Sequence, residues 1–146
     1  MMVTCNGIAP TPLEPSAFSN FDTRQLERRL YMLLDDFTYR DAVFGPITAA
    51  KGFETNYASL EALRNPLLFP LYALLVGYGD KASTIHDWLY SGQPVTLADG
   101  TSQVLSRKAA DDVFYRALRA EGIARWRARA FYIGVRIGGR RYFNCK

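Results

Sequence analysis

Apolar residues recur along this chain at two different spacings, and the spacing changes near its middle. Before residue 57 they come in short runs cut by Gly, Pro and Asp, the pattern of short strands. Arg29 to Leu34 reads as a strand that Phe37 to Arg40 continues. Ala42-Val43-Phe44 and Ile47-Thr48-Ala49 read as further short strands broken by Gly45-Pro46. Phe21 to Leu30 reads as a short helical or turn segment, and Gly52 to Tyr57 leads out of the sheet. Leu60 to Val76 is apolar but punctuated by Pro66 and Pro70, which predicts short helices with a break between them.

Helical spacing takes over after the turn Gly77-Tyr78-Gly79-Asp80. Over Lys81 to Tyr90, Ile85, Trp88 and Leu89 fall on one side. Val95-Thr96-Leu97 and Gln103-Val104-Leu105 flank Asp99-Gly100, a hairpin signal. Ser106 is a good N-cap for a helix from Arg107 to Ala120, and Gly122 supplies its stop. Ile123 to Ile137 forms another helix, ended by Gly138-Gly139. The pattern predicts an α+β fold: a small N-terminal antiparallel sheet, then a helical bundle of about four helices. In that bundle the helices bearing His86 and Asp111 run antiparallel and are joined by the hairpin. Trp88 and Trp126 are expected in the core or the helix seam.

Length makes this one domain of 146 residues, enough to bury about 70% of the unfolded surface without a staple. We place the globular domain at 21–146. Residues 1–20 carry Pro10, Pro12 and Pro15, which favour an extended path. That stretch is either a disordered tail or an arm that orders against a neighbouring subunit. Two cysteines, Cys5 and Cys145, make no disulfide framework, and they point to a reducing compartment. The N-terminus lacks the pattern of a signal peptide. The longest apolar run, Pro66 to Val76, is too short and too proline-rich to span a membrane.

Charge changes the picture. The net value is +4, but it is split. Residues 106–146 hold 11 Lys/Arg against 3 Asp/Glu, or +8; residues 1–105 hold 7 against 11, or −4. Arg125, Arg129 and Arg136 fall on one helical stripe, with Arg140 and Arg141 following. Such a stripe is either a solvated face or a binding surface. As a surface it suits an acidic protein first, nucleic acid second and anionic lipid third. No Walker loop, zinc spacing or nucleic-acid fold signature accompanies it.

The candidate chemistry centres on the single histidine, in Ile85-His86-Asp87-Trp88-Leu89-Tyr90. His86 and Tyr90 are four apart and share a helix face, while Asp87 points about 100° away. Asp111, in Ala110-Asp111-Asp112-Val113-Phe114, can meet His86 across an antiparallel seam. Tyr90 can donate to the same carboxylate. One outcome is a dyad in which Asp111 fixes the tautomer and His86 acts as a base on water. The other is a buried hydrogen-bonded tie that sets helix register.

These two motifs resemble those of the secreted and parvoviral phospholipases, which carry His-Asp-x-x-Tyr on one helix and Ala-Asp-x-x-Phe on its antiparallel neighbour. That resemblance implies His86 as base, Asp111 as its orienter and Asp87 as a Ca²⁺ ligand. The glycine-rich loop that completes the metal site of those enzymes is replaced here by Pro66-Leu67-Leu68-Phe69-Pro70. Their disulfides are also missing.

A second resemblance covers about a hundred residues. Gly52-Phe53-Glu54-Thr55, Ala58-Ser59, His86-Asp87-Trp88-Leu89-Tyr90, Arg107-Lys108-x-Ala110-Asp111-x-x-Phe114 and Gly122-x-x-Arg125-Trp126-Arg127-Ala128 occur in order. The order resembles that of bacteriophage and prophage proteins grouped as a domain of unknown function. Those proteins usually show Asp where Asn56 stands. The resemblance implies a phage-encoded protein, virion-associated or accessory, with a tail or connector position and other phage structural proteins as partners. It would reside in the virion or the host cytoplasm. The alternative expectation is a phospholipase-like hydrolase of lipid or cell-envelope substrates, using His86 and Asp111.

Overall fold

The structure is a computed structural model; it describes residues 16–57, 70 and 77–143. Five strands come first: β1 (Thr23–Glu27), β2 (Leu30–Leu33), β3 (Phe37–Asp41), β4 (Gly45–Ala49) and β5 (Glu54–Thr55). They form a three-stranded antiparallel sheet in the order β1-β2-β5 and a separate β3-β4 hairpin. Helix α1 (Asp80–Tyr90) follows, then the hairpin β6 (Pro94–Thr96) and β7 (Ser102–Val104). Helices α2 (Arg107–Ala120) and α3 (Arg125–Gly138) and a 3-10 turn over Gly139–Arg141 complete the described chain. The architecture is mixed α+β, with small antiparallel sheets and, among the described residues, the three helices α1 to α3.

The expected turn or helix over 21–30 is instead β1 and a tight connection into β2. Its sequence, Thr-Arg-Gln-Leu-Glu, is almost wholly exposed, so no hydrophobic period marks it. Ladder hydrogen bonds to β2 make it a strand, and those belong to the pairing rather than to the segment. The continuous strand expected over 29–40 breaks at Asp35-Asp36 into β2 and β3, which lie in different sheets. Asp36 accepts the Lys51 N–H at 2.8 Å and so ties that turn to the one after β4. Ala42-Val43-Phe44 is a turn rather than a strand. The Asp41 carboxylate accepts the N–H groups of Val43 and Phe44 at 3.0 Å and bends the chain there. Gly45-Pro46 does not break a strand; both residues sit inside β4, where Pro46 pairs with Arg40.

Ala17 and Ser19, at the end of the proline-bearing stretch, hydrogen-bond to β3, and Phe18 stacks on Tyr39 at 4.9 Å. Residues 1–15 of the expected arm, the short helices expected over 60–76 (Pro70 apart), and both cysteines lie outside the described residues.

The helical half follows its sequence signals closely. The Ser106 hydroxyl caps α2 by accepting the Ala109 N–H at 3.2 Å. At the other end, Ile123 N–H bonds Leu118 C=O and Gly122 N–H bonds Arg119 C=O. That double bond needs a left-handed residue, and Gly122 supplies it with φ +91°. Helix α1 has no capping side chain of its own. Glu121, from the end of α2, accepts the Ala82 N–H at 3.1 Å. This contact pins the start of α1 to the end of α2, so the two helices are antiparallel. One core joins Leu33, Phe37 and Ile47 of the sheets to Ile85 and Leu89 of α1, Val113 and Leu118 of α2, and Phe131 of α3.

Candidate functional site

The antiparallel seam brings His86, from the middle of α1, against Asp111, one turn into α2. His86 Nε2 lies 2.8 Å from Asp111 Oδ1, and the Tyr90 hydroxyl donates to the same oxygen at 2.5 Å. Asp111 Oδ2 accepts from Arg136 Nη1 of α3 at 2.8 Å. A single carboxylate therefore joins α1, α2 and α3. It is ionised and can only accept, so His86 Nε2 carries the hydrogen. The imidazole also lies between rings, with Tyr90 at 4.0 Å and Phe114 at 4.5 Å between centroids. The side chains are sealed: His86 is 1% exposed and Asp111 is 0% exposed. Gly139 makes room for this arrangement, since a Cβ there would stand 2.8 Å from the Tyr90 hydroxyl.

The electrostatics follow from burial against donors. Burial alone pushes the Asp111 carboxyl up, but hydrogen bonds from His86, Tyr90 and Arg136 outweigh it and hold the group below its ordinary value. Asp41 behaves likewise: burial raises it, while Arg116, with bonds of 2.8 and 3.0 Å, and the Phe44 and Val43 amides lower it further. Tyr90 is raised, chiefly by burial and then by Asp111 beside it.

A group whose pKa is depressed on folding adds stability that is complete above its unfolded value and is lost as pH falls through the folded one. With unfolded Asp near about 3.9, the contribution of Asp41 and Asp111 should be nearly flat from pH 7 to about 5 and be lost below about pH 4. Burial raises Asp80 and Glu121, and their contribution has the opposite sign, growing as pH falls. Melting curves between these pH values check this, and Asp41→Asn should flatten the acid limb.

Asp87 faces away from the dyad. Its Oδ2 accepts from Thr55 Oγ1 at 2.5 Å, which ties α1 to β5. With Glu54, Asn56, Tyr90 and Tyr142 it lines a shallow groove of about 220 Å³ that His86 does not line. A calcium ion takes six to eight oxygen ligands. Among the described residues no group of three or more His, Cys, Asp or Glu could hold a metal. The described carboxylates lining the groove are Glu54 and Asp87, and residues 66–69, in the place of the glycine-rich loop, lie outside the described residues.

The arginine stripe is only partly assembled. Arg125 and Arg129 are exposed on one flank of α3 and have no carboxylate partner among the described residues. Arg136 shares their side but reaches inward to Asp111, so its charge serves the helix seam. Arg140 and Arg141 are exposed in the 3-10 turn. Trp126 departs from its expected place in the core: it is 56% exposed. Trp88 packs its indole edge-on against Phe53 at 5.1 Å.

Three side-chain contacts were not read from sequence: Arg136 on Asp111, Thr55 on Asp87, and the Asp41–Arg116 pair. Beside the first, Tyr132, one turn before Arg136 on α3, donates to Asp112, the neighbour of Asp111 on α2, at 2.9 Å.

A family model matches residues 31–135, from β2 into the last turn of α3. The chain belongs to DUF1353. That family is described as protein of unknown function. The DUF1353 match takes in His86, Asp87, Tyr90, Asp111 and Phe114, and stops just short of Arg136. No curated protein and no solved structure matches the chain. Among the described residues no helix is long and apolar enough to cross a membrane.

Proposed function

We propose that this DUF1353 protein acts by binding: a phage-encoded, virion-associated or accessory component whose surface engages other proteins. The observation that carries the reading is the closure of the His86 site. A catalytic base must reach a water or substrate, and this imidazole is 1% exposed between two rings. Its carboxylate is also shared with Arg136, which neutralises the charge that would otherwise stabilise an imidazolium. The site is built as a lock. The phage assignment is supported by the ordered motifs from Gly52 to Ala128, and the binding assignment by the charge split along the chain. Tail or connector position, with residence in the virion or host cytoplasm, belongs to this proposal.

One observation favours a second reading. The 2.8 Å His86–Asp111 contact with Tyr90 on the same oxygen is the arrangement a hydrolytic dyad needs. In a phospholipase-like hydrolase His86 would take a proton from water attacking an ester, with Asp111 holding the ring.

His86→Ala separates the two. Under the lock reading it strands Asp111 and Tyr90, and the fold should lose about 2–4 kcal/mol in a denaturant titration. The virion-associated form of the binding reading also requires the protein to copurify with phage particles at fixed stoichiometry. Turnover of a phospholipid or envelope ester that disappears in a still-folded His86→Ala protein would move the assignment to the hydrolase. Absence from purified particles would end the virion reading.

A further inference from the structure

Helix α3 is apolar on two opposite faces, and among the described residues only one of them has a partner. An α-helix turns about 100° per residue. Ala128, Phe131 and Val135 fall together and are fully buried against the rest of the domain. Trp126, Ala130, Ile133 and Ile137 fall together on the far side. There Trp126 is 56% exposed, Ile133 54% and Ile137 65%. A surface helix of a soluble domain ordinarily turns charged residues to that side. This ridge runs about 16 Å at a rise of ~1.5 Å per residue.

The ridge has a cationic border. Arg125 and Arg129 lie along one flank without a carboxylate partner among the described residues, and Arg140 is exposed beyond its C-terminal end. At the N-terminal end Arg127 is held between two exposed rings, 4.5 Å from the centroid of Tyr78 and 5.0 Å from that of Trp126. Its Nε has no hydrogen-bond partner. Beside the flank, Tyr115, Arg116, Arg129, Tyr132 and Asp112 line a hollow of about 300 Å³. Lys108 and Tyr132 already occupy the Asp112 carboxylate, and Asp41 occupies Arg116. An incoming anion there meets Arg129.

We propose that α3 is a peripheral membrane-docking helix, which seats Trp126, Ile133 and Ile137 at the acyl boundary of an anionic phospholipid surface while its arginines meet the headgroup phosphates. This inference goes beyond the proposed function and does not depend on the fate of His86. Apolar ridge, aromatic end and arginine border are the three elements of an interfacial helix. A bilayer accepts a protruding ridge as it stands, whereas a protein partner would need a matching groove. A second copy of this chain fits poorly. Two α3 ridges face to face would bring Arg125 and Arg129 against their own kind. The exposed β1–β2 sheet mixes Arg24, Arg28 and Arg29 with Asp22 and Glu27, and so offers no acidic counter-surface.

The test uses the full chain with vesicles containing phosphatidylglycerol and with vesicles of phosphatidylcholine alone. Sedimentation should show at least about tenfold stronger binding to the anionic vesicles, weakening as salt rises. Tryptophan emission should shift to shorter wavelength on binding, and Trp126→Phe should abolish the shift because Trp88 is packed within the fold. Ile133→Asp with Ile137→Asp should cut binding about tenfold or more without lowering the melting temperature, since both residues are exposed. Arg125→Glu with Arg129→Glu should remove the preference for anionic lipid. The proposal falls if wild-type protein ignores anionic vesicles. It falls equally if the double Ile variant binds as wild type does, which would be charge adsorption without docking. Protection of the ridge only by a phage particle protein would assign it to a protein partner instead and overturn the lipid assignment.

Discussion

Asp111→Ala should destabilise the fold by about 3–5 kcal/mol, because it removes one member of a buried charged network and leaves the others stranded. Its two oxygens receive His86, Tyr90 and Arg136, from α1 and α3, while Asp111 itself sits on α2. Truncation leaves the His86 N–H and the Tyr90 hydroxyl inside the protein with no acceptor, and each such group costs about 1–3 kcal/mol. Arg136 suffers least, since its side chain is about one-third exposed and can turn to water. Asp111→Asn should fall between wild type and Ala: its oxygen can still accept from His86 and Tyr90, but its NH₂ then faces the Arg136 donor. Urea titrations of the three proteins measure the ordering. Asp111→Ala within about 0.5 kcal/mol of wild type would remove the lock from this description.

Phe114→Ala should cost about 3–5 kcal/mol by emptying the point where the three helices meet. The ring is fully buried, 4.5 Å from the His86 ring and 6.1 Å from Phe131 between centroids. Its removal opens a space bounded by the imidazole on one side and by α3 on the other. The cost has two parts, the lost transfer of the ring from water and the void that close-packed neighbours fill only in part. Phe114→Leu should recover most of it. A double-mutant cycle with His86→Ala should show coupling between them, because each ring is the other's wall. Strict additivity would mean that the Phe114 ring takes no part in positioning the imidazole.

Much of the helical half was legible before any coordinates. Ser106, Gly122 and Asp99-Gly100 work through short-range backbone chemistry, so their neighbours in sequence suffice to read them. The His86–Asp111 contact was legible for a related reason. A short hairpin between two helices makes them antiparallel neighbours, and equal distances from the turn bring His86 and Asp111 to the same level. The N-terminal half was read less well. β1 carries no apolar face, and its existence depends on β2 lying beside it. Asp36 and Asp41 looked like ordinary polar residues, yet Asp41 turns the chain by accepting the Val43 and Phe44 N–H groups, and Asp36 ties its turn to Lys51. The Arg125, Arg129, Arg136 stripe was correct as helical geometry and incomplete as chemistry. Periodicity places side chains around an axis but does not say which of them finds a buried carboxylate across a seam.

The amino-acid sequence by itself determined the α+β class, the three described helices with the Ser106 and Gly122 ends of α2, and the possibility that the one imidazole meets Asp111. Those properties rest on local backbone preferences and on the short reach of a hairpin. Only the tertiary structure decided that the pair is sealed, that Arg136 shares it, that Asp87 belongs to Thr55, and that Trp126, Ile133 and Ile137 face outward. Burial and partner choice are set by what packs from distant parts of the chain, and a linear pattern carries the side chain's chemistry but not the neighbours that spend or spare it.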